Sequence, residues 1–219
     1  PHVAEAIRQT LGQVLLDGED ICDARFSKCC GGETEEFQYC WEDTLKSYLT
    51  AVRDLVLGVK NKEQEDSSRF TLHSSLQDEA TAEQWIRSNP PAFCNTTDKK
   101  ILSQVLNDYD QETADFYRWK VTYSQEKLQQ LFEEKLKMNF GAILDMKAVE
   151  RGKSGRISKL QIIGTEKTFT IGKELEIRRA LSDTHLYSSA FVVDKYDKDE
   201  QGVPQRFEII GAGWGHGVG

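Results

Sequence analysis

The chain is poor in proline, with 4 among 219 residues, and in methionine, with 2. With no low-complexity tract either, a collagen-like or linker protein is excluded. No apolar run approaches the roughly 20 residues that cross a bilayer as a helix. Positive charge is not in excess: 28 Lys and Arg stand against 36 Asp and Glu, a net charge of −8. Nonspecific binding to phosphate backbones needs a positive surface, so no nucleic-acid partner is expected. There is no His-Glu-x-x-His set, and no Lys-Ser/Thr follows a glycine run as a phosphate loop requires. What is present suits a packed core: 38% hydrophobic and 10% aromatic residues, enough for one large domain or two small ones. The chain opens at Pro1 with no signal-peptide pattern and stops at Gly219 inside a glycine-dense segment, and it reads as a fragment cut at both ends.

Periodicity predicts an α+β fold of mixed strands and short helices with antiparallel hairpins. Val3, Ile7 and Leu11 stand four apart and predict a short amphipathic helix ended by Gly12. Residues 13–16 read as a strand, Asp17-Gly18 as a hairpin turn, and residues 21–27 as the partner strand. Trp41 and Tyr48-Leu49 anchor a peripheral stretch, and residues 60–68 read as a charged loop. Residues 78–88 predict a helix with Ala80, Trp85 and Ile86 inward, stopped by Asn89-Pro90-Pro91. Residues 92–115 read as a surface excursion. Residues 116–123 predict a strand, and Ser124 caps a helix to about Met138 with Leu128, Leu131, Phe132 and Leu136 inward. Strands follow at 143–150, 157–163 and 167–171, then a helix at 174–181, then strands at 190–194 and 206–210.

Two segments could carry chemistry. The first is Gly211-Ala-Gly-Trp-Gly-His-Gly-Val-Gly219, where glycines alternate with Trp214 and His216. Such a backbone approaches a ligand closely and presents an aromatic face and a titratable imidazole. The plainer reading is a glycine turn around a core tryptophan. The second is Ser27-Lys-Cys-Cys-Gly-Gly-Glu-Thr34, a strand running into a loop tip with hydroxyl and backbone donors. The plainer reading here is a tight turn. Either Cys29 or Cys30 needs a nearby base to act as a nucleophile, and His216 is the attractive one. Five cysteines, at 22, 29, 30, 40 and 94, include no Cys-x-x-Cys pair. Buried or free thiols, a disulfide and a zinc site all stay open. No other cofactor is expected. Glu33, Glu35 and Glu36 read as a solvated face, and Glu42-Asp43 offers no clean acid–base pair. His2, His73 and His185 are isolated and read as surface residues.

In order along the chain, several segments resemble the SpoIID/LytB family, that is, stage II sporulation protein D and the related amidase enhancers. Residues 4–16 resemble its helix–strand entry with a T-x-G-x-V-L run. Residues 23–34 resemble its Ser/Cys-Gly-Gly-x-Thr segment, followed by Trp41 and residues 48–52. Residues 119–131 resemble its W-x-V-x-x-S-x-x-x-L piece. Residues 151–156, 177–181 and 188–191 follow, and residues 211–219 carry its most specific motif. The resemblance covers nearly all of 1–61 and 117–219. It divides the chain into an N-terminal part, 1–61, a largely helical lineage-specific insertion, 62–115, and a C-terminal part of the same domain, 116–219.

The resemblance implies a peptidoglycan-acting protein outside the cytoplasmic membrane, secreted, periplasmic or membrane-anchored. It implies a lytic transglycosylase cleaving glycan strands, or else a non-catalytic activator of a cell-wall amidase or a peptidoglycan-binding module. The family's catalytic glutamate lies in a Glu-Met-Pro-like segment expected upstream of Pro1, so no residue here inherits that role. A groove for several sugars suits Trp214 as a stacking face and Gly31, Gly32, Gly213, Gly215 and Gly217 as close-approach backbone. Ser27, Thr34 and His216 would supply hydrogen bonds.

Overall fold

A computed structural model describes residues 2–54, 75–105 and 115–219. The loop expected at 60–68, His73 and residues 106–114 of the expected excursion lie outside the described residues. The fold is α+β. Helix α1, His2–Gln9, leads to a two-stranded ribbon of β1, Leu16–Asp17, and β2, Asp20–Ile21. Among the described residues, three helices follow: α2, Phe37–Cys40; α3, Glu79–Arg87; and α4, Lys99–Val105. Strand β3, Arg118–Ser124, runs into α5, Gln125–Leu136. Then come β4, Ile143–Arg151; β5, Ile157–Gly164; β6, Thr168–Ile171; α6, Glu174–Ala180; β7, Phe191–Lys198; and β8, Pro204–Ala212.

Two antiparallel three-stranded sheets, ordered β3-β8-β7 and β4-β5-β6, build the C-terminal half. Their inward residues, among them Trp119, Leu160, Ile162, Phe191, Phe207 and Ile209, meet Leu128 and Phe132 of α5 and Ile177 of α6 in the main core. Ser124 Oγ accepts from Lys127 N and starts α5, as its sequence position predicts. Strands β7 and β8 run longer than their apolar stretches, because antiparallel pairing carries Asp194–Lys198 alongside Pro204–Glu208.

In α3 the buried residues are Ala82, Trp85 and Ile86. Ala80 is exposed, contrary to expectation, because Asp78 caps the helix and sets the phase so that the i, i+3, i+4 face starts at Ala82. The segment from 92 on is not all surface: Ala92 packs with Cys29, Phe116 and Tyr117, and Cys94 lies against them.

The N-terminal ribbon differs most from expectation. The strands predicted at 13–16 and 21–27 shrink to two residues each. No residue of α1 is buried, and Val3 is 74% exposed. A two-stranded ribbon with no core to cover holds only its turn.

Candidate functional site

Central strand β8 delivers the glycine-dense segment. Trp119, opposite Gly211 in the β3–β8 register, lays its indole where a Gly211 side chain would stand, and its Nε1 donates to Gly213 O at 2.9 Å. Beyond β8 the chain pairs with residues of the 27–35 segment, far away in sequence. Cys29 N donates to Trp214 O at 3.2 Å, and Trp214 N donates to Cys29 O at 2.8 Å. Ser27 Oγ donates to Trp214 O at 3.1 Å and accepts from Gly217 N at 3.0 Å. Glu35 N donates to Gly217 O at 2.9 Å. The two segments singled out in the sequence are therefore one structural unit.

Arg156, from the β4–β5 turn, holds this unit from below and is 1% exposed. Its Nε donates to Gly215 O at 3.1 Å, and its Nη1 donates to Cys30 O at 3.1 Å and Ser154 Oγ at 2.9 Å. Its Nη2 has no hydrogen-bond partner among the described residues. A Cβ on Gly217 would lie 2.5 Å from Arg156 Nη1, and one on Gly213 would lie 2.9 Å from Nη2. Glycine at both positions lets the backbone close over the guanidinium. Gly31 approaches Gly213 N, and Gly32 lies under the Trp85 ring.

The acidic run predicts a solvated face for Glu35, and the structure corrects this: it is fully buried. Its carboxylate accepts from Lys153 N at 2.8 Å, Ser154 N at 3.2 Å, Ser154 Oγ at 2.6 Å and Glu36 N at 2.9 Å. Burial raises its pKa, opposed by the bond from Ser154, the bond from Glu36 N and the nearby Arg156. Glu174 is buried too and likewise raised, with Arg178 opposing. Glu35 ties its segment to the β4–β5 turn, whereas Glu174 pairs with Arg178 within its own helix. In the sequence, Glu35 differs in no way from its acidic neighbours.

The other expected site residues are placed as follows. Trp214 is half-buried, its ring packed against Tyr187 at 4.5 Å and Phe116 at 4.8 Å, with Lys28 Nζ 4.8 Å from its centroid. His216 rests on Trp41 at 4.8 Å and accepts from Val218 N through Nδ1. Burial, with Arg156, Arg178 and Arg25 nearby, lowers its pKa from 6.5 to about 4, so it is neutral at pH 7. Thr34 Oγ1 is engaged locally, accepting from Val52 N at 2.8 Å and donating to Thr50 O at 3.2 Å. His2 and His185 are exposed.

Beside this unit opens a cleft of about 760 Å³. Ser27, Thr34, Gly217, Cys30 and Cys94 line it, together with residues the sequence did not single out: Phe26, Phe93 and Asp54. Phe26 is 84% exposed and Phe93 is 68% exposed, so each presents an open aromatic face. All five cysteines are free thiols. Cys29 contacts Cys94, whose thiol hydrogen bond is the main cause of a lowered Cys29 pKa. Cys30, Asp54 and Cys94 bring two thiols and a carboxylate together, and among the described residues this is the group able to hold a metal ion. A second cavity, of about 540 Å³, lies between α2 and β5–β6; of its charged lining, Lys173 pairs with Asp43 and Lys159 with Glu150.

No curated protein matches the chain. A family model described as "Domain of unknown function (DUF8618)" matches residues 35–219, through the 62–115 stretch and up to the end of the glycine-dense segment. That is most of the chain, and the protein belongs to this family.

Proposed function

We propose that this is a peptidoglycan-acting protein of SpoIID/LytB type, working outside the cytoplasmic membrane, and that the cleft beside the glycine unit binds glycan strands. One observation carries the reading. Two of the segments that carry the resemblance, 23–34 and 211–219, lie side by side through Cys29–Trp214 and Ser27–Gly217, and they border one open cleft. Sugar rings are bound by aromatic faces together with a few placed polar groups. Phe26 and Phe93 offer the faces, which Trp214, packed on Tyr187 and Phe116, offers less well. Ser27 and the loop backbone offer the polar groups.

Two readings of the chemistry follow. In a lytic transglycosylase, a glutamate of raised pKa protonates the glycosidic oxygen, then takes the proton of the C6 hydroxyl as that oxygen closes on the anomeric carbon. The product is an anhydro sugar, and no water is consumed. In the second reading the domain binds glycan and activates a cell-wall amidase or another wall hydrolase. Among the described residues the cleft lining contains one carboxylate, Asp54, which already accepts from Cys94 N at 2.8 Å. That favours binding as the contribution of these residues.

Incubation of the protein with peptide-free glycan strands, followed by mass spectrometry, separates the readings. Retention of strands with new anhydro ends supports the transglycosylase. Retention without them supports the binding or activating role. No retention at any strand length overturns the proposal.

A further inference from the structure

We propose that Cys30, Asp54 and Cys94 form a binding site for a thiophilic divalent cation, zinc, with a fourth coordination position reached from the cleft. The inference is independent of the glycan reading. It stands on a match between the spacings here and those a tetrahedral ion requires. Zinc takes sulfur at about 2.3 Å and carboxylate oxygen at about 2.0–2.2 Å, so its tetrahedral edges are about 3.8 Å between two sulfurs and about 3.5 Å from sulfur to oxygen. Cys30 Sγ lies 3.5 Å from Cys94 Sγ and 3.6 Å from Asp54 Oδ2. All three ligand atoms lie within 4.8 Å of one another.

Each ligand is held by its backbone rather than by chance contact. The Cys30 carbonyl accepts from Arg156 Nη1 at 3.1 Å. Asp54 N donates to Gly32 O at 3.0 Å, and its carboxylate is oriented by Cys94 N at 2.8 Å. Such outer contacts fix ligand direction before a metal arrives. Two thiols and one carboxylate suit zinc over magnesium or calcium, which prefer all-oxygen sets. The three residues all line the cleft, so an ion can enter and its fourth ligand can be water or a bound group. Cys94 belongs to the 62–115 stretch, which the SpoIID/LytB resemblance does not cover, so this ligand set is a property of the present chain. A Cys30–Cys94 disulfide is the competing state of the same pair, but it would give the Asp54 carboxylate no role.

The test uses the 219-residue protein, reduced, stripped with a chelator and dialysed against zinc chloride alone. One zinc per chain is expected by elemental analysis. Cobalt(II) in its place should show thiolate-to-metal charge-transfer absorption and the visible bands of a tetrahedral ion. Cys94→Ser should weaken zinc binding by about 100-fold or more, and Asp54→Asn by at least about 10-fold, taking losses at outer-shell partners as the lower bound. Cys22→Ser, a half-buried thiol outside the cleft, should leave it unchanged. If Cys94→Ser does not fold, the wild-type stoichiometry and the cobalt spectrum decide. Clearly less than one zinc on the reduced wild type, a cobalt spectrum without thiolate charge transfer, or full binding by Cys94→Ser would each overturn the site.

Discussion

Gly217→Ala should be among the most damaging single-methyl changes in this protein. The residue has a φ of 79°, a left-handed conformation that a side chain destabilises by roughly 1–2 kcal/mol. The new methyl would also sit 2.5 Å from Arg156 Nη1. That guanidinium cannot swing aside cheaply, because it is tied to Gly215 O, Cys30 O and Ser154 Oγ. Moving it leaves a buried charge short of partners, an effect of about 3–5 kcal/mol. The sum, about 4–7 kcal/mol, is a large part of the roughly 5–15 kcal/mol of a typical domain. Gly202→Ala is the matched control: its φ is 81°, but nothing lies within 4 Å of the added methyl, so only about 1–2 kcal/mol is expected. Urea unfolding followed by tryptophan fluorescence measures both. In a chain this long each kcal/mol moves Tm by about 2–4 °C, so Gly217→Ala should melt at least about 8 °C lower than wild type. Adding it to an Arg156→Ala background should leave only the backbone strain. The reasoning fails if Gly217→Ala and Gly202→Ala fall within about 1 kcal/mol of each other, or if the Arg156→Ala background does not relieve the difference.

Three further outcomes follow from the same geometry. Because the pKa of His216 falls from 6.5 to about 4 on folding, its contribution is whole above pH 6.5 and declines as pH drops toward 4. The decline is at most about 3 kcal/mol, reduced by solvent at the half-buried ring. Glu35 and Glu174, raised by burial, act in the opposite direction, so the comparison is between wild type and His216→Asn, whose stability should depend less on pH in that window. An imidazole NMR titration with a midpoint near 6.5 would refute it. Glu35→Gln puts an amide where four donors converge, and chemical denaturation should show a loss of about 2–4 kcal/mol; a loss under 1 would mean the cluster is not tightly held. Ser27→Ala removes the hydroxyl joining Trp214 O to Gly217 N and should destabilise by about 1–2 kcal/mol while raising hydrogen exchange at Gly217; unchanged exchange would refute the link.

The regular half of the fold was readable because its signals are local. Ser124 caps α5, apolar residues recur on one face from Leu128 to Phe132, and glycines punctuate the β4–β5 and β5–β6 turns. The N-terminal hairpin shows the limit of such signals: alternation and Asp17-Gly18 specify a turn, but strand length depends on a partner surface, and residues 16–21 are exposed. At the site, glycine density marked both segments but could not show that Arg156 joins them. An arginine in a hairpin turn looks like any surface charge until the turn folds under the glycines. Glu35 was hidden by its acidic neighbours for the same reason. Cys94 and Asp54 lie 64 and 24 residues from Cys30, so their meeting is a product of tertiary structure alone.

The most direct test of the central claim is equilibrium binding of peptide-free glycan strands to the wild-type protein and to the Phe26→Ala, Phe93→Ala double variant. Both rings are open to solvent, so their removal should leave the melting temperature within a few degrees of wild type. Loss of two stacking faces at about 0.5–1.5 kcal/mol each should weaken binding by about 5- to 150-fold. Wild-type binding that the double variant loses to this extent is the predicted result. Equal binding by both proteins, or none by wild type, would contradict the assignment of this cleft to glycan.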